Sequence, residues 1–442
     1  MTATIDTNNK YAEDFDRLLA ARATGEPSWL TRLRRRAFCS FSELGFPTRK
    51  HEEWRFTPIP RIIETPFGPS RSGAAPHDGD AAAYSFGELG GDQIVFVDGY
   101  FDAALSSIES SADGVRVGSL AAALADDPGA LDGKLGAFAP VEGWTFSALN
   151  AAFFADGAYV LIPRNVVLEA PIQILYLSTG GERPTVSYPR TLVIAERGSQ
   201  ATVVESYASS SGELYFTNAV TEFYIGENAV VDHYKVTREG VGAQHISVAQ
   251  VEIERNGRFK SNNITLGGSL VRNDVNAHLA GEGIVCVLNG LYMARGKQLV
   301  DNHTFIDHAN PNCESHELYK GILADRSRGV FNGKILVRPD AQKTDAKQTN
   351  KTLLLSKEAT IDTKPQLEIF ADDVKCTHGA TVGQADEEAV FYLRSRGIGE
   401  EDARSLLTYA FASDIVSRIA IEPIRQKLDE ALFTEGALQG IR

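Results

Sequence analysis

Cysteine is scarce in this sequence, and the few residues present lie far apart. The chain of 442 residues holds four, Cys39, Cys286, Cys313 and Cys376, and no two of them have Cys-x-x-Cys spacing. Neither a zinc ribbon nor a disulfide framework is therefore indicated. The N-terminus shows no apolar secretory segment and no Arg-rich presequence, which predicts a cytoplasmic protein.

Long apolar runs and an excess of basic charge are missing as well. Stretches such as Tyr159–Ile162 are far too short to span a bilayer, so no membrane segment is predicted. Asp and Glu number 58 against 44 Lys and Arg, and the net charge is −14. Nucleic-acid binding is disfavoured because phosphate contacts need a basic surface. The one basic cluster, at Arg32, Arg34, Arg35 and Arg36, falls on a predicted helix, where a solvated face or an acidic partner is favoured.

Motifs for nucleotide binding and for nucleophilic catalysis are also missing. The sequence has no G-x-x-x-x-G-K-[ST] loop and no Gly-x-Ser-x-Gly elbow. We therefore expect any ATP hydrolysis to belong to a partner. The content of 43% hydrophobic and 23% charged residues is typical of a soluble globular protein, and the length allows two or three domains.

Residues 1–92 are predicted to form a helical N-terminal region that ends in a flexible linker. Apolar residues from Tyr11 onward keep helical spacing, and a second helix begins after Pro27 and stops at Gly45. The stretch from about 66 to 92 is rich in Gly, Ala, Ser, Pro and Asp. This composition is typical of a linker or mobile loop.

Residues 93–384 are predicted to form a β-rich core built from a repeated unit. Short strands follow turns at Gly198, Gly226, Gly257 and Gly283 with a spacing of about 28 residues, within the range of solenoid repeats. Helices of ten or more residues are not evident between the strands, so βαβ units are not expected. A β-helix and a large antiparallel sandwich both stay open, and polar Asn and Asp at recurring turns favour the β-helix.

Residues 385–442 are predicted to form a helical C-terminal domain. Acidic residues at Glu387 and Glu400 open two helices, where their negative charge interacts favourably with the positive end of the helix dipole, and Glu422 begins a third. These helices carry more apolar residues than they are expected to bury among themselves, notably Tyr392, Leu406, Tyr409 and Phe411. The domain is therefore expected to cover one end of the solenoid or to dock another protein onto it.

The candidate site lies where the β-rich core gives way to these helices. Cys376 and His378 are two residues apart, so an extended backbone points both side chains to one face. Thiolate and neutral imidazole are suited to iron, zinc or copper. The alternative is a buried cysteine and a hydrogen-bonded histidine at a domain junction.

A second group of potential ligands occurs upstream, at His303, His308, Cys313 and His316. In an extended strand His303 and His308 face opposite sides, and Cys313 and His316 follow a turn. Hydrogen-bonded histidines on a solenoid surface are therefore favoured over a bound metal, although the metal reading stays open.

Several motifs, taken together, resemble the SufB/SufD family of the SUF iron–sulfur cluster assembly machinery. They are the run Asp372–Gly383, the segments Tyr392–Ile398 and Leu406–Phe411, the N-terminal His51–Thr57, and the β-region segments Ala309–Ser315, Tyr319–Gly321 and Gln348–Asn350. The form Lys375–Thr381 is similar to the SufD branch, since the SufB branch tends to carry a Glu-His-Glu version there and additional cysteines. The resemblance covers nearly the whole chain.

The resemblance implies a fold and a place in a complex. The fold is a right-handed parallel β-helix between helical N- and C-terminal domains. The chain is a non-catalytic scaffold, joined to SufB through the ends of their β-helices. The SufC ATPase docks on the C-terminal helices, for which the candidate residues are Tyr392, Leu393, Arg396, Leu406, Tyr409 and Phe411.

The resemblance also implies that a transient iron–sulfur cluster, or iron, is held at the interface with SufB. The matching ligand is His378, and Cys376 is either a second ligand or a packed thiol. No cofactor is expected in the isolated chain. That chain would be a homodimer if it pairs its strands around residues 360–370, and a monomer otherwise.

One function from another class stays open, a carbohydrate-active β-helix enzyme. Such an enzyme needs paired acid and base groups in a groove, and Asp and Glu are plentiful here. The sulfur donor and any flavin bound by the complex cannot be read from the sequence.

Overall fold

The structure is a computed structural model that describes residues 7–23, 25–74, 76, 80–86, 89–109, 114–181, 183–209 and 211–434. Its helices are α1 Thr7–Arg22, α2 Ser28–Leu44, a 3-10 turn Glu52–Trp54, α3 Pro60–Glu64, α4 Asp80–Tyr84, α5 Leu120–Asp126, α6 Pro128–Leu131, α7 Thr145–Phe153, α8 Glu387–Ser395, α9 Glu400–Val416 and α10 Glu422–Thr434. The first ten strands are β1 Gly68–Pro69, β2 Gln93–Val97, β3 Tyr100–Phe101, β4 Arg116–Ser119, β5 Ala158–Ile162, β6 Ile172–Leu177, β7 Thr185–Ser187, β8 Arg190–Ala195, β9 Gln200–Ala208 and β10 Tyr215–Ile225. The remaining strands are β11 Val230–Arg238, β12 Gln244–Ile253, β13 Arg258–Thr265, β14 Leu270–Leu279, β15 Val285–Ala294, β16 Leu299–His308, β17 Glu314–Leu323, β18 Arg328–Val337, β19 Asp345–Leu354, β20 Thr360–Ile369 and β21 Lys375–Gly383.

Two parallel sheets make up a solenoid of about eight turns. Sheet A has the order β20-β18-β16-β14-β12-β10-β8-β5-β4, and sheet B has the order β21-β19-β17-β15-β13-β11-β9-β6-β2-β3. Successive strands alternate between the sheets, so each coil gives one strand to each. Phe216 pairs with Gln244, 28 positions later, whereas Arg328 pairs with Thr360, 32 positions later. The predicted mainly β fold, a β-helix with helices at both termini, is confirmed. The predicted spacing of about 28 residues holds for the earlier coils and lengthens in the later ones.

The corner between the sheets is where the recurring turn residues lie. Gly198 (φ 69°), Asn228 (φ 58°), Asn256 (φ 55°) and Gly283 (φ 72°) adopt left-handed backbone at successive coils, a conformation that Gly and Asn tolerate best. The Asn256 amide also donates to Asn228 Oδ1 at 3.1 Å. The sequence predicts turn glycines at Gly226 and Gly257 as well, but the left-handed residues of those turns are Asn228 and Asn256.

Between the sheets lies a core whose N-terminal part is aromatic. The rings of Phe96, Tyr176 and Tyr207 stack with centroids 4.9 and 5.0 Å apart, and Phe223 and Phe331 are fully buried further along. Each such side chain contributes about 1.5–3 kcal/mol by leaving water. The aromatic residues that strands favour therefore also fill the inside of the coil.

The N-terminal helices pack on the outer face of sheet A. Phe41 and Phe146 join a cluster with Phe216 of β10, as do further buried residues of α1, α2 and α7. One arginine of the basic cluster differs from the predicted solvated face. Arg34 is fully buried, pairs with Glu26 at 2.9 Å and lies over the ring of Phe154 at 4.2 Å.

The motif at residues 51–57, here called the clamp segment, lies across three strands of sheet A. Trp54 stacks under Arg272 of β14, the Thr57 hydroxyl donates to Asp301 of β16 at 2.5 Å, and Glu53 accepts from Asn332 of β18 at 2.6 Å. The motif therefore has a structural role, since it fastens the N-terminal region to the solenoid.

The stretch expected to be a flexible linker, from about 66 to 92, is packed in its described part. Strand β1 pairs with β7, and Phe86 is buried in a cluster with the C-terminal helices. Residues 75, 77–79 and 87–88 of that stretch lie outside the described residues. Small and polar composition alone did not reveal that this segment supplies a strand pair and a core phenylalanine.

The C-terminal helices lie along the outer face of sheet B. Ile415 and Ile419 pack with Val236 of β11 and other outward apolar residues of sheet B. Lys320 of β17 pairs with Asp414 at 2.8 Å. The expectation that the helices cover an end of the solenoid is thus corrected, because they cover a face and leave the last coil open.

Candidate functional site

The last coil of the solenoid ends in two strands that are paired on one side only. Strand β20 closes the order of sheet A and β21 closes that of sheet B, with no further strand beyond either among the described residues. At the other end, β4 and β3 pair antiparallel and complete the sheets there. The open end therefore presents a row of free backbone N–H and C=O groups, which favours pairing with another chain.

Cys376 and His378 lie on β21 and share a face. Cys376 pairs in register with Ala346 and His378 with Gln348, and both partners are buried inward residues of the preceding coil. The two candidate side chains therefore point toward the inside of the open end. The expectation that they share one face is confirmed.

Cys376 and His378 differ in how far they are buried. Cys376 is half-buried and packs against a small cluster that includes Ile335 and Ala346, and burial raises the pKa of its thiol. A raised pKa leaves less thiolate at neutral pH, so the side chain is suited to packing unless a metal or a partner changes its environment. His378 is exposed.

Apolar side chains surround the open end. Ile369 is 39% exposed, Phe370 62% and Val382 46%. Asp345 pairs with Lys347 at 3.1 Å near the edge of this surface. An exposed apolar surface rimmed by charge is typical of a protein–protein contact.

Polar residues buried inside the solenoid went unnoticed in the sequence. His233 lies 3.2 Å from Glu205, and Lys235 donates to Asn273 at 2.8 Å. Burial lowers the pKa of Lys235 to about 8. Alternation along the strands marks these positions as inward, but sequence alone gives no means of knowing that charged residues occupy the core.

The second group of potential ligands is not brought together. His303 contacts Asp301 at 3.0 Å, whereas His308 bonds to Ser315 at 2.8 Å and burial lowers its pKa to about 4. Cys313 bonds to a backbone carbonyl at 3.3 Å, and His316 lies on the surface near Glu314. Within the part of the chain that the structure describes, no three His, Cys, Asp or Glu residues are placed to hold a metal ion.

A cavity of about 510 Å³ lies between the clamp segment and sheet A. Among its lining carboxyls, Asp274 pairs with Arg272 at 2.9 Å, and a hydrogen bond from His303 is the main cause that lowers the pKa of Glu53. A glycosidase needs a general acid whose pKa is raised. The cavity therefore gives no support to a carbohydrate-active enzyme.

The six candidates for docking on the C-terminal helices fall into two sets. Tyr392 is 58% and Leu406 43% exposed, Arg396 is exposed beside Tyr392 (3.1 Å between Nη2 and the phenol oxygen), and Leu393 is half-buried. The other two, Tyr409 and Phe411, are half-buried and pack on the cluster that joins the helices to sheet B.

The two candidates that pack on this cluster, Tyr409 and Phe411, have partners inside the chain. Tyr409 donates to Asp429 at 3.0 Å, and Lys320 lies 4.7 Å from the ring centroid of Phe411. Phe391, which is not among the six predicted residues, is 71% exposed. Within the described part of the C-terminal helices, the exposed large apolar side chains are therefore Phe391, Tyr392 and Leu406.

Among the residues described, no helix is both long enough and apolar enough to cross a membrane.

Comparison with known proteins gives matches over almost the entire chain. The SUF system FeS cluster assembly SufBD core domain matches residues 176–411, and the SufBD protein N-terminal region matches residues 5–174. The iron–sulfur cluster assembly protein SufD of Escherichia coli (strain K12) is 34% identical, over 87% of this chain and 88% of its own. An iron–sulfur cluster assembly SufBD family protein of Synechocystis is 34% identical over 92% of this chain and 91% of its own. SufD of Bacillus subtilis (strain 168) is 30% identical over 65% of this chain and 66% of its own.

Proposed function

The chain belongs to the SufBD family of the SUF iron–sulfur cluster assembly system, and from this we propose that it is a non-catalytic scaffold subunit in a complex with SufB and SufC. In this proposal the complex works in the cytoplasm, ATP hydrolysis belongs to SufC, and clusters are assembled where this chain meets SufB. The similarity to SufD proteins supports a role in cluster assembly, and the geometry of the open end supports the location.

The observation that carries the location is the place of His378. The imidazole is exposed on the last strand of sheet B, on the inward face of a coil whose backbone edge is free. A partner that adds its own strand there would cover His378 and the apolar side chains of Phe370 and Val382. A ligand from each protein would then meet at one interface.

A histidine ligand is suited to a cluster that must later be released. Neutral imidazole binds iron, and a site with fewer thiolates holds a cluster less firmly than four cysteines do. The cluster or iron is here the substrate of assembly. Cys376 is the second candidate ligand, and its half-buried thiol with a raised pKa makes it the weaker one.

We further propose that SufC docks on the exposed apolar surface of the C-terminal helices, formed by Phe391, Tyr392 and Leu406. These helices are tied to sheet B by Lys320 and Asp414, so a movement of SufC would be passed to the solenoid. In the absence of SufB, a second copy of the chain is proposed to cover the free edge of β20.

The test is a comparison of His378→Ala, Cys376→Ala and Thr377→Ala, each co-produced with SufB and SufC. Thr377 is the matched control, since it is exposed on the same strand but points to the other face. His378 and Thr377 are exposed, and removal of an exposed side chain changes stability by no more than about 0.5 kcal/mol, so their complexes should form with unchanged thermal stability. Cys376 is half-buried against a small apolar cluster, so its complex should form with a modest loss of thermal stability. Cluster content should fall sharply for His378→Ala, less for Cys376→Ala and not for Thr377→Ala. Normal cluster content with His378→Ala would refute the ligand role.

A further inference from the structure

Gln348 occupies the inward position directly behind His378. It lies on β19, is 1% exposed, and pairs in register with Glu317 of β17 on one side and with His378 of β21 on the other. Side chains in register on adjacent parallel strands stack at about 4.8 Å. Gln348 belongs to the segment Gln348–Asn350, one of the β-region motifs that resemble the family.

The orientation of the Gln348 amide is fixed by Glu317. The amide nitrogen Nε2 donates to Glu317 Oε2 at 2.6 Å. An ionised carboxylate can only accept hydrogen bonds, so the amide must turn its NH₂ group toward Glu317 and its carbonyl oxygen away from it. That oxygen, Oε1, is buried and has no hydrogen-bond partner among the described residues.

The opposite sheet leaves room for this amide and for little else. A Cβ atom on Gly333 of β18 would lie 2.2 Å from Gln348 Nε2 and 2.7 Å from its Cδ. The Gln348 side chain thus reaches across the coil into the space that the missing Cβ of Gly333 leaves, and a side chain at position 333 would displace the amide. The amide is held from two directions while its acceptor oxygen is left unused.

Resting on the proposed role of His378, we propose that Gln348 is a positioning residue. The His378 ring is not bonded to Gln348 in the structure, and in the proposal it turns about its side-chain torsions so that one N–H donates to the unused Gln348 Oε1. This bond selects one tautomer, because the nitrogen that faces Gln348 must carry the proton. The lone pair of the other ring nitrogen is then directed out of the open end, toward iron. Hydrogen-bond partners of ligating histidines act in this way, and their loss lowers metal affinity by about 10- to 100-fold.

The direct test is ¹⁵N NMR of the histidine side chains in the full chain at pH 8. Burial raises the pKa of Glu317 to about 7, so at pH 8 its carboxyl is mostly ionised. The chain has nine histidines, and the signals of His378 are those that disappear in His378→Ala. One protonated and one unprotonated nitrogen shift, typical of a single tautomer, are expected for wild type. Averaged shifts, typical of a free imidazole, would overturn the proposal without any need for a variant at Gln348.

Two substitutions separate positioning from packing. Gln348→Met keeps the size and removes the acceptor, so the His378 shifts should become averaged. Asn350→Leu is the matched control, because Asn350 is equally buried on the same strand with an unused Oδ1, yet pairs in register with Ala380. It should leave the His378 shifts as in wild type. An unchanged tautomer in folded Gln348→Met, or equal changes in both variants, would contradict the proposal.

Cluster content distinguishes this inference from the function on which it rests. In the complex with SufB and SufC, Gln348→Met should weaken cluster retention by about 10-fold or more, and Asn350→Leu should not. If His378→Ala keeps normal clusters, the ligand role fails whatever the tautomer is. If His378→Ala loses clusters while the wild-type tautomer is averaged, only the role of Gln348 fails.

Discussion

The guanidinium of Arg272 lies 3.7 Å from the ring centroid of Trp54 and at the same time bonds to two carboxylates, those of Asp274 and Asp301, each at 2.9 Å. Arg272 is 3% exposed. One buried cation thus joins the N-terminal clamp segment to β14 and β16. The contact therefore fastens the N-terminal clamp segment to two strands of the solenoid.

Arg272→Met is predicted to destabilise the protein by about 3–5 kcal/mol, because it leaves Asp274 and Asp301 buried without their cation. Denaturation with urea should show this loss, and limited proteolysis should cut the clamp segment sooner than in wild type.

The control is Arg255→Met, which removes an exposed arginine that pairs with Glu227 at 3.5 Å. Exposed pairs contribute about 0–1 kcal/mol, so little change is expected. Equal effects of the two substitutions would show that Arg272 does not hold the clamp segment.

The β-helix could be predicted from sequence because its signals are local. Strand composition, a spacing of about 28 residues and polar turn residues all repeat along the chain. The contact between Trp54 and Arg272 could not, since nothing in either segment states which distant strand it meets. The position of the C-terminal helices was likewise missed, because an apolar helix face such as that of Ile415 fits an end or a side of the solenoid equally well.

The candidate site, like the fold, could be predicted from the sequence only in part. The shared face of Cys376 and His378 follows from the two-residue period of a strand. Which residue of β19 neighbours His378 depends instead on the register of the two strands. That register could not be predicted from the sequence, because the coils vary in length. Gln244 pairs with Leu270, 26 positions later, but Gln348 pairs with His378, 30 positions later. Counting back by a constant period would therefore select the wrong residue.

Glu317 is predicted to make stability depend on pH. Burial raises its pKa from 4.5 to about 7 in the folded chain. Between these values the folded state binds more protons than the unfolded state, so the free energy of unfolding falls as pH rises through this window. The contribution is full below about pH 4.5 and amounts to at most about 3 kcal/mol.

Glu317→Gln should remove this dependence, because the amide can still accept from Gln348 but does not titrate. The measurement is the difference in unfolding free energy between wild type and variant from pH 4.5 to 7.5. Glu314→Gln, an exposed change on the same strand, should give a flat difference. A flat difference for Glu317→Gln as well would show that this carboxyl has an ordinary pKa in the folded chain.

Docking of SufC is predicted to depend on the exposed apolar surface of α8 and α9. Leu406→Glu should weaken SufC binding by about 30-fold or more if the side chain is central to the contact, with no loss of thermal stability, as expected for an exposed residue. Deletion from residue 385 onward is a poorer test, since it would uncover apolar residues of sheet B such as Val236 and Ile264.

Titration calorimetry with purified SufC provides the measurement. Val241→Glu is the control, because Val241 is 71% exposed but lies on a turn of the solenoid. If Leu406→Glu and Val241→Glu bind SufC as wild type does, the docking surface lies elsewhere.

The free edge of β20 is predicted to pair with a second copy when SufB is absent. The backbone N–H groups of Thr360 and Phe370 donate toward β18, to the carbonyl oxygens of Ser327 and Val337. Successive N–H groups of a strand point to opposite sides, so the N–H of Ile369 points to the free edge, where a carbonyl of a second copy would accept its hydrogen bond. Ile369→Pro removes that donor without removing a bond to β18, and should shift the isolated chain from dimer to monomer, with about 10-fold or weaker association. Ile369→Val keeps the donor and should stay dimeric. Light scattering over a range of concentrations decides between them, and a wild-type chain that is monomeric at the highest concentration would end the edge-pairing proposal.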